Sequence, residues 1–165
     1  PMPYTPILAT LAYVLSKDKS SVLMVHRNKN PNDLHWGKYN GLGGKFEVME
    51  DAVSCCLREI KEEAGIDAIN PILKGTISWP GFGKNGEAWF GFLFLLTTWN
   101  GVPLTENPEG TLEWVPVEQI LHKNLWEGDR LFLPLMFDGK PTQFHGVMPY
   151  ADGKPLSWNY HILGS

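Results

Sequence analysis

Two periods alternate along the chain. Apolar runs at Ile7 to Leu15 and Val22 to Arg27, separated by the polar turn Ser16 to Ser21, predict two strands joined as a hairpin. After Asp51 the spacing becomes helical: Val53, Cys56, Leu57, Ile60 and Ala64 stand at i, i+3, i+4, i+7 and i+11, and Asp51 offers a side-chain oxygen for the N-cap. At about 100° per residue these five fall in one wedge, the face that should pack. Pro71 to Trp79 and Ala88 to Trp99, rich in Ile, Leu, Phe, Trp and Thr, flank a glycine-laden turn from Pro80 to Gly86 and predict core strands. A short strand over Thr111 to Val115, a helical turn over Val117 to Leu121 opened by Pro116, and a helix over Gly128 to Phe137 follow. Gln143 to Met148 and Leu156 to Ile162 predict a closing strand pair around the turn Asp152-Gly153. Asn28 to Gly37 reads as a mobile loop and Asn100 to Gly110 as another loop. Strands on both sides of one strong helix, with a second helix later, predict an α/β fold in which a mixed sheet is covered on two faces.

Composition narrows this picture. The 165 residues suit a single domain, 1–165, with length enough for one core. No apolar run approaches the roughly 18 residues of a membrane span, so no membrane partner is expected. A formal charge of −4 leaves no basic surplus for a nucleic-acid backbone, which favours a small-molecule partner over a polymer. Cys55 and Cys56 are neighbours that cannot form an ordinary bridge to each other, and no other cysteine is present. With no visible secretory signal at the start, a cytoplasmic location is expected, as a monomer or homodimer.

The chemistry is concentrated on the first helix. Glu59, Glu62 and Glu63 repeat the i, i+3, i+4 spacing on a second wedge roughly 120° from the apolar one. Carboxylates this close repel by about 1 kcal/mol per pair in water and by roughly 4 kcal/mol near a protein surface. Such a group reads either as a solvated helix face or as a site for a cation. Arg58 can pair with Glu62 but cannot neutralise all three, whereas a hard divalent ion such as Mg²⁺ could. Gly41, Gly43 and Gly44 just before the helix favour the cation reading, because glycines let backbone approach an ion or ligand.

With those residues in view, the segment from Gly44 to Ile66 resembles the signature of the Nudix hydrolase superfamily, G-x5-E-x7-R-E-U-x-E-E-x-G-U, where U is a bulky aliphatic residue. Gly44, Glu50, Arg58, Glu59, Ile60, Glu62, Glu63, Gly65 and Ile66 fill its defined positions. The resemblance implies an α/β/α sandwich and hydrolysis of a nucleoside diphosphate linked to another group. It implies metal ligation by Glu59, Glu62, Glu63 and the Gly44 carbonyl, with Arg58 and Glu50 orienting helix and carboxylates. Mg²⁺, with Mn²⁺ as an alternative, would acidify the attacking water. Met49 departs from the glycine that many members carry there, a change in the loop rather than in a ligand.

Outside that signature the chain resembles the MutT-like branch that sanitises oxidised purine nucleoside triphosphates, the 8-oxo-dGTP diphosphatases in particular. Tyr39 to Lys45 is similar to the branch's loop into the helix, which implies that Asn40 hydrogen-bonds the purine and that Lys45 contacts substrate. Leu125 to Asp129 resembles the segment that supplies a stacking tryptophan, Trp126, and an acidic base reader, Asp129. Some members carry two adjacent acids there, whereas this chain has Gly128 before Asp129. Glu109 stands where the family often has a carboxylate that binds metal or takes the water's proton, and Arg27 where a basic residue contacts phosphates. The five histidines show no ligand spacing and read as structural or surface residues. Two alternatives stay open: cleavage of ADP-ribose or a nucleotide sugar, to which Pro80 points, and a non-catalytic nucleotide sensor, which usually lacks some of the carboxylates present here.

Overall fold

The computed structural model describes residues 2–164. The N-terminal strands β1 (Ile7–Leu15) and β2 (Ser21–His26) form the expected hairpin, with Val14 opposite Leu23. Short strands β3 (Tyr39–Asn40) and β4 (Leu42–Lys45) precede helix α1 (Ala52–Ala64). The chain continues through β5 (Asp67–Ala68), β6 (Ile72–Trp79), β7 (Trp89–Leu96), β8 (Trp99–Asn100), β9 (Glu106–Asn107) and β10 (Gly110–Pro116). A 3-10 segment, Val117–His122, leads to α2 (Glu127–Met136), followed by β11 (Gln143–Val147), β12 (Tyr150–Ala151), β13 (Lys154–Pro155) and β14 (Asn159–Leu163).

The main sheet runs β14-β11-β6-β7-β1-β2-β10-β9, with β3 hydrogen-bonded to β2 and β4 to β1. β1 pairs with β7, and β6 with β11, in parallel; the other pairings are antiparallel, so the sheet is mixed as expected. Its two faces follow from the two-residue period of a strand. Tyr13, Leu15, Val22, Met24 and Leu93 point to one core with Phe132, Leu133 and Met136 of α2. Their neighbours Ala12, Val14, Leu23, Val25 and Phe94 point to the other, with Cys56, Ile60 and Ala64 of α1. A buried side chain such as Ile60 stabilises this layer by about 1.5–3 kcal/mol.

Helix α1 starts where Asp51 accepts the Ser54 N–H at 2.7 Å and ends at Gly65, whose φ of 72° is the left-handed cap that glycine favours. Its packed face is turned relative to the expected stripe: Cys55, Cys56, Ile60 and Ala64 are buried, while Val53 is 45% exposed and Leu57 only half-buried. The cause is the glycine strand β4, which lets the helix settle close enough for Cys55 Sγ to reach the Gly44 carbonyl at 3.6 Å and Thr10 Oγ1 at 3.5 Å. Cys55, Glu59 and Glu63 therefore form one i, i+4, i+8 row along that strand.

Three other expectations change. The strand expected to reach Trp99 leaves the main sheet at Leu96, because Trp99 and Asn100 pair instead with Ala68 and Asp67. The closing strand pair exists as β11 and β14, but the Asp152-Gly153 turn does not join them; both residues have positive φ, and they close the separate ribbon β12–β13. The loop after β2 is tied down, since Arg27 Nε donates to Asp33 Oδ2 at 2.8 Å and the Gly37 N–H reaches the Arg27 carbonyl at 2.7 Å. Among the described residues no helix is long and apolar enough to cross a membrane.

Candidate active site

One cleft of about 720 Å³ opens between β1, β4, the row of α1 that faces them, the loops after β2, β6 and β9, and the start of α2. It has an acidic end and an aromatic end.

The acidic end is built on Arg58. Its guanidinium forks onto Glu50, with Nε to Oε2 at 2.6 Å and Nη2 to Oε1 at 2.8 Å, which clamps the preceding loop to the helix. This pairing holds the Glu50 carboxyl down at about 2. Nη1 also donates to Glu59 at 2.8 Å and to Glu62 at 3.3 Å. The three glutamates then divide. Glu59 and Glu63 line the cleft, while Glu62, on the outer side of Arg58, is 58% exposed and does not. Gly44 is pressed against Glu59: a Cβ there would lie 2.5 Å from its Oε1.

Glu63 accepts the Gly43 N–H at 3.2 Å, yet its carboxyl is pushed well above the ordinary carboxylate range by burial first, then by the charges of Glu109 and Glu59. Asn107 brings Glu109 there. Its amide donates to the Glu63 carbonyl at 3.1 Å, and its oxygen accepts the N–H groups of Glu109 and Gly110 at 2.9 and 3.2 Å. Burial raises the Glu109 carboxyl too, against the pull of Arg27, whose Nη1 stands 3.5 Å from it. Among the described residues no three His, Cys, Asp or Glu side chains converge as a closed metal cage. Glu59 and Glu63 with the Gly44 carbonyl are nonetheless hard oxygen donors, and their mutual crowding is what a divalent cation relieves; the donor set fits Mg²⁺.

The aromatic end gathers Asn40, Trp79, Phe82, His35, Trp126 and Asp129 around the cleft. Asn40 is held opposite Val25 in the β2–β3 pairing. Trp126 precedes α2 and is largely buried; its ring meets Phe82 edge-on at 5.0 Å and its Nε1 donates to His35 Nδ1 at 2.8 Å. It is thus a core aromatic and a cleft wall at once. Asp129 is only partly accessible, and burial pushes its carboxyl up to about 7 while Lys38 and Arg130 pull it down. Gly128 is explained by its neighbour: a Cβ would lie 2.2 Å from the Tyr150 hydroxyl, which accepts the Gly128 N–H at 3.0 Å. Tyr150 leaves no room for a second acid.

Arg27 and Lys45 also line the cleft, Arg27 already paired with Asp33 and Lys45 exposed, 5.4 Å above the ring of Trp89. Pro80 does not line it; its carbonyl accepts the Tyr150 N–H at 2.8 Å, a structural task. Sequence reasoning missed Asn107, Phe82 and His35. The turn-forming run Asn107-Pro108-Glu109-Gly110 signalled the first, but nothing local marks the other two.

Comparison with known proteins adds the family. The NUDIX domain model matches residues 5–136. An uncharacterized Nudix hydrolase of Bacillus subtilis, YvcI, is 34% identical over 113 residues, which is 66% of this chain and 70% of that protein. An oxidized purine nucleoside triphosphate hydrolase of Mus musculus is 30% identical over 116 residues, 70% of this chain and 72% of that protein. The crystal structure of a MutT protein from Bacillus halodurans superposes with a TM-score of 0.79 at 28% identity, covering 93% of this chain and 97% of that one.

Proposed function

The chain belongs to the NUDIX family, hydrolases acting on diphosphate bonds, and from that premise we propose that it converts a purine nucleoside triphosphate to the monophosphate and pyrophosphate. The substrate we favour is an oxidised purine deoxynucleotide such as 8-oxo-dGTP, which makes the role nucleotide-pool sanitation in the cytoplasm. One observation carries the reading: the crowded acids and an amide-and-aromatic pocket line the same cleft, whose volume of about 720 Å³ suits a nucleotide.

In this reading Glu59, Glu63 and the Gly44 carbonyl would hold Mg²⁺, or Mn²⁺ in its place, with Glu62 at the margin; such an ion would supply charge neutralisation for the phosphates and a more acidic water. Arg58 and Glu50 keep the helix in register with the glycine strand, so the acids stay where the phosphates pass. Glu109, its proton affinity raised by burial, takes the proton of the water that adds to phosphorus. The bond from phosphorus to the bridging oxygen breaks and pyrophosphate leaves. Arg27 and Lys45 face the phosphates. Trp126 walls the base, while the Asn40 amide, donor and acceptor together, and the Asp129 carboxyl read its edge.

The relative named for oxidised purine triphosphates supports this choice of substrate. The residue that pointed to ADP-ribose, Pro80, stands outside the cleft. A product panel with Mg²⁺ tests the proposal. Pyrophosphate from dGTP and 8-oxo-dGTP is expected; two monophosphates from ADP-ribose, with triphosphates untouched, would overturn it. Tight nucleotide binding without turnover would make the protein a sensor instead.

A further inference from the structure

His35 belongs neither to the acid cluster nor to the residues assigned above to the base, yet it lines the same cleft. Its loop is fixed: the His35 N–H donates to Asp33 Oδ1 at 3.1 Å, and Asp33 is held by Arg27. Its Nδ1 receives the Trp126 indole N–H at 2.8 Å. An indole nitrogen can only donate, so Nδ1 must present its lone pair, and the neutral ring carries its proton on Nε2. Burial, with Arg27 and Lys38 adding to it and Asp33 opposing, pushes the imidazole down to about 4, so the ring is neutral at ordinary pH. Among the described residues no partner meets Nε2, nor is it sealed from solvent.

We propose that His35 determines base specificity, its Nε2–H donating to O6 on the Hoogsteen edge of a guanine-type purine, the acceptor that 8-oxoguanine keeps although its N7 carries a proton. Guanine offers O6 on that edge, adenine places an amino donor beside N7, and cytosine presents an amino donor. Trp126 then does two things through one ring: it walls the base and fixes the tautomer that reads it. The proposal rests on the nucleotide reading for what fills the pocket, but not on hydrolysis.

Guanosine and cytidine monophosphates, titrated calorimetrically into the wild-type protein and His35→Ala, supply the test. Loss of one hydrogen bond predicts about tenfold weaker binding of guanosine monophosphate. Cytidine monophosphate should be unaffected, and His35→Gln, which keeps a donor, should recover part of the loss. In the wild-type protein, imidazole nitrogen NMR should find the proton on Nε2 and its signal displaced by guanosine monophosphate. Equal losses for both nucleotides, a proton on Nδ1, an Nε2–H signal unmoved by bound guanosine monophosphate, or no binding at millimolar concentration would each overturn the proposal. Guanine-selective binding that depends on His35 without triphosphate cleavage would end the hydrolysis reading and leave this one standing.

Discussion

The two ends of the cleft are built in opposite ways. At the acidic end Gly44, Glu50, Arg58, Glu59 and Glu63 lie within twenty residues of one another, and a single guanidinium bonds to Glu50, Glu59 and the Lys45 carbonyl. At the aromatic end His35, Asn40, Phe82, Trp126 and Asp129 come from separate segments that only the sheet and α2 bring together. The helical part of the acidic end is fixed by residue spacing and one clamp, so its geometry follows from local chemistry, and only Glu109 is brought in from a distance, by Asn107. The aromatic end is fixed by tertiary packing, so His35, Phe82 and Trp126 each have a structural duty beside any binding one.

The largest expected effect separates two glutamates that the helical spacing treats alike. Glu63→Gln should lower turnover by about 10²–10⁴-fold with the fold retained, the worth of several kcal/mol of charge stabilisation by a bound cation, and Glu62→Gln, altering an exposed carboxylate outside the cleft, should lower it less. Steady-state kinetics with circular dichroism checks this; equal losses would mean that the acids work as one group. Gly44→Ala comes next. Its Cβ, 2.5 Å from Glu59 Oε1, should displace that carboxylate and cost about 10–100-fold in activity or Mg²⁺ affinity, as disturbed ligand support does. Unchanged Mg²⁺ dependence would show that Glu59 relocates freely.

The smallest effect belongs to the aromatic end. The Asp129 carboxyl lies above its ordinary 3.8, at about 7. Below about pH 4 it is protonated in both folded and unfolded chains and costs nothing. As the pH rises from 4 to 7 the unfolded chain ionises while the folded one keeps its proton, so stability falls across that window and levels off above it. Asp129→Asn should flatten this slope in melting temperature against pH. A slope identical to that of the wild-type protein would place the carboxyl in water.

Legibility in the sequence follows the same division. The alternation in β1 and β2 and the spacing from Asp51 to Gly65 announce the sheet and helix, because each depends on residues a few positions apart. The turn of α1 was hidden, since it depends on how closely β4 lets the helix approach, and Val53 and Cys55 are both plausible core residues until Gly44 is seen against Glu59. Asp152-Gly153 signalled a turn correctly, but which strands it joins is settled by pairing. His35 carried no signal, because its meaning comes from Trp126, ninety-one residues away. Gly128 looked like a lost acid and is room for Tyr150.

The central claim is that one end cleaves and the other chooses, and the ratio of kcat/KM for dGTP over dCTP tests it most directly in Glu63→Gln and Asn40→Ala. Glu63→Gln is expected to lower both values together and leave the ratio unchanged, while Asn40→Ala lowers the ratio by about tenfold, the worth of one base-edge hydrogen bond, with little loss on dCTP. A ratio that moves with Glu63, or an Asn40 variant impaired equally on both bases, would contradict it.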